Sequence, residues 1–179
     1  MSITRRAVLA GTASLAAAPA PGTAWQFEMA SLDEGTLRLA DYRGRVMLVV
    51  NTASFCGFTP QYRQLEAIHR SLGPQGFSVI GVPSQDFGQE SGTNGEVKAF
   101  CEATFNVDFP MTGISHVRGP EALPFYRWVR AQRQWEPRWN FFKVLIGRDG
   151  AIAGTYSSDA EPDRGPLAEA IRAAMSAPA

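Results

Sequence analysis

The chain predicts an α/β fold: a mixed central sheet flanked by helices and led by an N-terminal β-hairpin. Three observations carry this. Residues 46–50 and 77–82 are near-continuous apolar runs, too short for helices, and read as strands buried on both faces. Between them Tyr62, Leu65, Ile68, His69 and Leu72 recur at helical spacing, and a strand–helix–strand unit needs a crossover and hence parallel strands. Later, residues 143–146 and 151–156 flank Arg148-Asp149-Gly150, a hairpin signal that adds an antiparallel edge.

Taken in order, residues 25–30 and 36–39 alternate around Asp33-Glu34-Gly35 and predict the first hairpin. Asp41-Tyr42-Arg43-Gly44 is a turn into the central strand at 46–50. Thr59 as N-cap and Pro60 at the first helical position predict the start of the first helix, and Gly73-Pro74 its end. After the strand at 77–82 comes a polar loop over 83–92. Thr93 and Glu96 then match a capping box opening a helix to about Phe105, with Val97, Phe100, Cys101 and Thr104 on one face. Residues 111–116 read as irregular or briefly extended. Residues 121–133 predict a third helix, and Leu167, Ala170, Ile171 and Ala174 the closing one. Hairpin, strand–helix–strand–helix, helix, hairpin and helix is the order of a thioredoxin-like fold. At 179 residues, 45% hydrophobic and 19% charged, the chain suits one such domain.

Residues 1–24 read as an export leader and 25–179 as the domain. Arg5-Arg6 precedes Val8-Leu9, an Ala-rich stretch without acidic residues, and small residues at a cleavage point after Ala20 or Ala24. The paired arginines are those of a twin-arginine signal, which implies a periplasmic protein; an ordinary export signal or an uncleaved leader is the alternative. No apolar run is long enough to span a bilayer. A formal net charge of zero argues against nucleic acid or an anionic membrane as the main partner.

Cys56 lies between the end of a buried strand and the start of a helix, where the dipole and unpaired N–H groups favour a thiolate. The alternative is a small buried hydrophobe that happens to be cysteine. Cys56-Gly57-Phe58-Thr59 has the form of C-x-x-C with Thr in place of the second sulfur. A lone thiol so placed suits peroxide reduction, in which it becomes a sulfenic acid. Cys101, the second of two cysteines in an exported chain, reads equally as half of a structural disulfide or as a packed core thiol. Neither His69 nor His116 has metal-ligand spacing, and there is no G-x-G-x-x-G or P-loop, so no metal or cofactor is expected.

The run NTASFCGFTPQY over residues 51–62 resembles the active-site signature of the glutathione peroxidase family. Trp139-Asn140-Phe141 with Lys143, the loop with Phe87-Gly88 and Glu90, and Phe109-Pro110-Met111 fall in the family's order, so the resemblance covers roughly residues 25–174. It implies a tetrad of cysteine, glutamine, tryptophan and asparagine: Cys56 as peroxidatic nucleophile, Trp139 as indole donor and Asn140 as amide. At the glutamine the sequence departs. Asp86 holds the position, Gln85 is one residue off, and the loop after Gly88 is about one residue short. Asp86 is expected beside the sulfur as proton acceptor, with Gln85 as the alternative fourth member. Cys101 matches the resolving cysteine of the non-selenium, thioredoxin-dependent branch.

The expectation is therefore a peroxidase that reduces hydrogen peroxide and organic or lipid hydroperoxides through a Cys56 sulfenic acid and a Cys56–Cys101 disulfide. A thioredoxin-like protein or glutathione would recycle it. Family tetramers carry an extra loop before the Trp-Asn motif; residues 133–139 are short here, which predicts a monomer. The rival is a peroxide-sensing redox relay that passes its disulfide to a partner protein. A third reading is an exported binding domain with a structural disulfide.

Overall fold

The computed structural model describes residues 22–178. The leader expected over 1–24 lies outside the described residues except for 22–24. Those three pack on the domain: Ala24 is wholly buried, its N–H donates to the Gly150 carbonyl at 2.9 Å, and the Gly22 carbonyl accepts from Trp128 Nε1 at 3.0 Å. The boundary expected at 24/25 thus falls inside a short 3-10 turn, Ala24–Gln26.

The central sheet has the order β4-β3-β5-β6, from β3 (Val46–Thr52), β4 (Phe77–Pro83), β5 (Lys143–Ile146) and β6 (Ile152–Tyr156). β3 pairs parallel with β4, and antiparallel with β5, which continues antiparallel to β6. The first hairpin, β1 (Glu28–Ala30) with β2 (Thr36–Arg38), is a separate two-stranded sheet. This is the thioredoxin-like arrangement that the element order predicts. Every residue of β3 and β4 is buried, and the period of two divides their side chains between two cores. Val46, Leu48 and Val50 pack with α1 (Gln61–Leu72), α2 (Asn94–Phe105) and α4 (Gly165–Ser176). Met47 and Val49 pack with α3 (Pro124–Arg133) and with Met29 and Leu37 of the hairpin. Each such side chain contributes roughly 1.5–3 kcal/mol by leaving water. A continuous apolar run, rather than an alternating one, is what two covered faces require.

Two boundaries shift and one apolar face narrows. α3 begins at Pro124 rather than 121, because the proline's fixed φ suits the first helical turn and residues 119–123 are spent on turn bonds, with Ala122 N–H to Gly119 O and Leu123 N–H to His116 O. α1 begins at Gln61, with Pro60 before it and no side-chain cap; the Thr59 hydroxyl is used elsewhere. On α2 the expected apolar face is narrower: Val97 and Cys101 are buried, but Thr104 is exposed.

The α2 capping box is present in both directions. Thr93 Oγ1 accepts from the Glu96 N–H at 3.3 Å, and Glu96 Oε2 accepts from the Thr93 N–H at 3.0 Å. With only two of its residues buried, α2 depends on this cap more than the other helices do. Thr93→Ala should cost about 1 kcal/mol, seen as a lower urea midpoint with unchanged slope. An unmoved midpoint would show that the start of α2 lies outside the cooperative unit.

Candidate active site

β3 ends in polar residues that are nonetheless buried, Asn51 and Thr52, and the chain then turns through Cys56. The turn is closed by Thr59, whose hydroxyl accepts from the Cys56 N–H at 3.0 Å and donates to the Ala53 carbonyl at 2.8 Å. With the loop so fixed, the Phe58 N–H donates to Cys56 Sγ at 3.4 Å. Such a donor holds negative charge on sulfur. Glu90 supports the loop from below: its buried Oε1 accepts from the N–H groups of Ser54, at 3.1 Å, and Ser91, at 2.8 Å. Burial pushes the Glu90 carboxyl up, against the effect of these bonds.

Cys56 itself is 7% exposed, whereas two large apolar side chains stand in solvent, its neighbour Phe55 at 66% and Trp139 at 41%. The Trp139 ring packs on Phe87 with centroids 5.6 Å apart, and the Arg118 guanidinium lies over Phe87 at 5.5 Å. Trp139 opens the tight turn that leads into β5. Asn51 joins this turn to the end of β3: its Nδ2 donates to the Trp139 carbonyl at 2.9 Å, and its own carbonyl accepts from the Phe141 N–H at 2.6 Å. Asn140 is wholly buried and its Nδ2 donates to Gln89 Oε1 at 2.9 Å, while the Gln89 carbonyl accepts from the Phe55 N–H at 2.9 Å. Gln89 is thus the residue that ties the Cys56 loop to Asn140. Sequence reasoning passed over it, although it is the next glutamine after Phe87-Gly88 and is followed by Glu90.

The two residues expected at the fourth position lie elsewhere. Asp86 Oδ1 bonds His116 Nδ1 at 2.6 Å, and Oδ2 accepts from the N–H groups of Val117, at 2.7 Å, and Arg118, at 3.2 Å. Gln85 Nε2 donates to the carbonyls of Glu90 and Ser91. Among the described residues neither forms a hydrogen bond with Cys56 or Asn140. The expectation of Asp86 at the sulfur rested on its place in the motif before Phe87-Gly88. The chain instead folds over at Gly88, with φ of +67°, and the Gly88 N–H closes on the Gln85 carbonyl at 2.9 Å.

Cys101 sits on α2 within the same core cluster as Cys56, and both are free thiols. Burial pushes the Cys101 thiol up to about 11. Among the described residues, no three His, Cys, Asp or Glu side chains gather as a metal site requires.

The Asp86 bond raises the pKa of His116. Its titration, followed by NMR, should lie above the ordinary 6.5 and move down toward it in Asp86→Asn. The sign follows: the pair's stabilisation is fully present below about 6.5 and is lost as pH rises through the higher folded value. An unmoved His116 midpoint in Asp86→Asn would remove the ion pair.

Comparison with known proteins identifies the family. The glutathione peroxidase family model matches residues 24–130. The hydroperoxy fatty acid reductase of Synechocystis sp. is 40% identical over 157 residues, 82% of this chain and 93% of that protein. A glutathione peroxidase-like peroxiredoxin of Schizosaccharomyces pombe is 38% identical over 136 residues, 73% of this chain and 86% of that protein. The apo crystal structure of Trgpx superposes with a TM-score of 0.70 at 32% identity, over 88% of this chain and 99% of that one. The chain belongs to the glutathione peroxidase family and is a thiol peroxidase acting on hydroperoxides.

Proposed function

We propose that the enzyme works through two cysteines, with Cys56 attacking the hydroperoxide and Cys101 resolving the product. The observation that carries this is the Phe58 N–H at 3.4 Å from Cys56 Sγ, in a loop that Gln89 ties to Asn140. Cys56 thiolate attacks the nearer peroxide oxygen; an S–O bond forms, the O–O bond breaks, and the departing alkoxide or hydroxide takes a proton. Gln89, Asn140 and the Trp139 indole form the donor set around that oxygen, and Gln89 fills the role expected of Asp86 or Gln85. The Cys56 sulfenic acid then condenses with the Cys101 thiol, releasing water. Two thiols of a thioredoxin-like reductant return both cysteines to the reduced state.

Cys101 is buried, so the two sulfurs meet only if α2 opens. Its light anchoring, with Val97 and Cys101 its two buried residues and Phe100 and Phe105 packed at the edge, supports that, as does a cavity of about 120 Å³ beside Cys101 bordered by Leu32, Phe109 and Met111. The exposed rings of Phe55 and Trp139 suit hydroperoxides that carry an apolar chain, in keeping with the name of the Synechocystis relative. A monomer leaves that rim open.

Cys56→Ser should abolish turnover. Cys101→Ser should consume one peroxide equivalent and then stall with thioredoxin. Gln89→Ala should slow the first equivalent about tenfold, roughly 1.4 kcal/mol of barrier, whereas Gln85→Ala should change it less than about twofold. Equal steady-state rates in wild type and Cys101→Ser would remove Cys101 from the cycle. A single equivalent consumed by wild type in the presence of a dithiol would favour the redox relay.

Export to the periplasm by the twin-arginine route is part of the same proposal. Because Ala24 is buried in the domain, cleavage after Ala20 fits better than cleavage after Ala24. Changing both Arg5 and Arg6 to Lys keeps the charge and should still block export through a receptor that reads the pair. Normal periplasmic yield of that variant would refute the route, and an exported chain beginning at Trp25 would refute the cleavage site.

A further inference from the structure

The turn that carries Asn140 is held in a conformation its residues would not choose. Phe141, bulky and wholly buried, has φ of +59°, a left-handed position that favours glycine. Such a residue persists only where its surroundings over-determine it. All three carbonyls of the turn are capped by side chains from outside it: Trp139 O by Asn51 Nδ2 at 2.9 Å, Asn140 O by Ser158 Oγ at 2.6 Å, and Phe141 O by Lys143 Nζ at 2.7 Å.

Lys143 is the unexpected member. It is wholly buried, and no carboxylate lies within ion-pair distance of it among the described residues. Its remaining N–H groups go to the carbonyls of Ser158, at 3.2 Å, and Ser157, at 3.4 Å. An ammonium has three N–H donors and no lone pair, so three carbonyls saturate it. Gln61 Nε2 fixes the same Ser158 carbonyl at 2.7 Å. Lys143 therefore grips the turn twice, directly at Phe141 and indirectly through the segment whose Ser158 hydroxyl holds Asn140. A buried charge without an ion-pair partner is a poor source of stability, since an apolar side chain of similar size would cost less to bury.

We propose that Lys143 is a positioning residue which, with Ser158, holds the Asn140 side chain at the peroxidatic thiol. The role rests on the peroxidase reading above. It depends on the charged form: a neutral amine turns a lone pair toward one of the three carbonyls and gives up a bond. Burial lowers the Lys143 pKa to about 7, and Asp159 acts in the opposite direction. Tyr156, its register partner on β6, is kept protonated by its own burial. As pH rises through about 7 the grip loosens.

The test uses the full chain with Cys101→Ser, so that Cys56 is the one thiol. Two rate constants are measured for each protein, reaction with hydrogen peroxide and alkylation by iodoacetamide. Both need the thiolate, but peroxide alone needs a proton delivered to a departing oxygen, so their ratio isolates the donor set. Lys143→Met should lower the ratio at least tenfold, and less than twofold when Asn140 is already Ala. The ratio should fall from pH 6 to 9 with an inflection near 7 when Lys143 is present, and be flat in Lys143→Met. An unchanged ratio, an equal loss in the Asn140→Ala background, or a pH-independent ratio with Lys143 present would overturn the proposal. If Lys143→Met does not fold, Ser158→Ala replaces it. That variant should lower the ratio at least threefold, the loss vanishing with Asn140→Ala, and an unchanged ratio would overturn the proposal. A Cys56 that reacts with peroxide no faster than free cysteine, before any other variant is compared, would sink the peroxidase reading and this inference with it.

Discussion

The site depends on how β3 ends. A strand buried on both faces has to release its chain into a loop without leaving its last backbone groups unpaired. Asn51 solves this with its own amide. Its backbone N–H still donates to the Phe142 carbonyl beside β5 at 3.2 Å, while its carbonyl and side chain both grip the 139–141 turn. One residue therefore sets the distance between the loop that carries Cys56 and the turn that carries Asn140. Neither segment is regular secondary structure. Both are as well placed as the central strand because they hang from it.

Polar groups have been taken into the core at this end of the sheet, and stability is not what they serve. Asn51 Oδ1, Thr52 Oγ1, Ser54 Oγ, Glu90 Oε2 and Asn140 Oδ1 are buried without protein partners. A domain built for stability alone would satisfy or replace them. With Glu90 beneath the Cys56 loop and Lys143 behind the 139–141 turn, they make one polar end to an otherwise apolar core. The low dielectric that makes such groups costly also strengthens their action on a developing charge. The opposite end of the sheet, where Gly147–Gly150 turns against Trp25, carries no comparable set of buried polar atoms among the described residues.

The two cysteines sit on unlike elements. The Cys56 loop is tied to Asn140 through Gln89, whereas Cys101 lies on the helix with the fewest buried side chains. In the two-cysteine cycle proposed above, the first thiol needs preorganised donors and the second needs to travel, and these demands fall on different elements of one core.

Several features were legible in the sequence because they are local. The apolar run of β3 declares two covered faces, Thr93 and Glu96 declare the start of α2, and Arg148-Asp149-Gly150 declares the last hairpin; the structure has all three. Cys56 at a strand–helix junction was legible for the same reason. The identity of the side chain that bonds Asn140 was not. Position in a motif pointed to Asp86 or Gln85, but a loop follows no period, and the positive φ at Gly88 decides which side chain swings back toward the turn. Likewise Thr59 looks like a helix cap in one dimension and becomes a loop clasp once Ala53 is beside it. Sequence alone determined the elements, their order and the cysteine at the strand–helix junction, since these follow from periodicity and capping over a few neighbouring residues. Tertiary structure alone decided that Gln89 meets Asn140 across 51 positions and that Lys143 reaches Phe141, Ser157 and Ser158, because those contacts exist only after the sheet has brought distant carbonyls and amides within hydrogen-bond range.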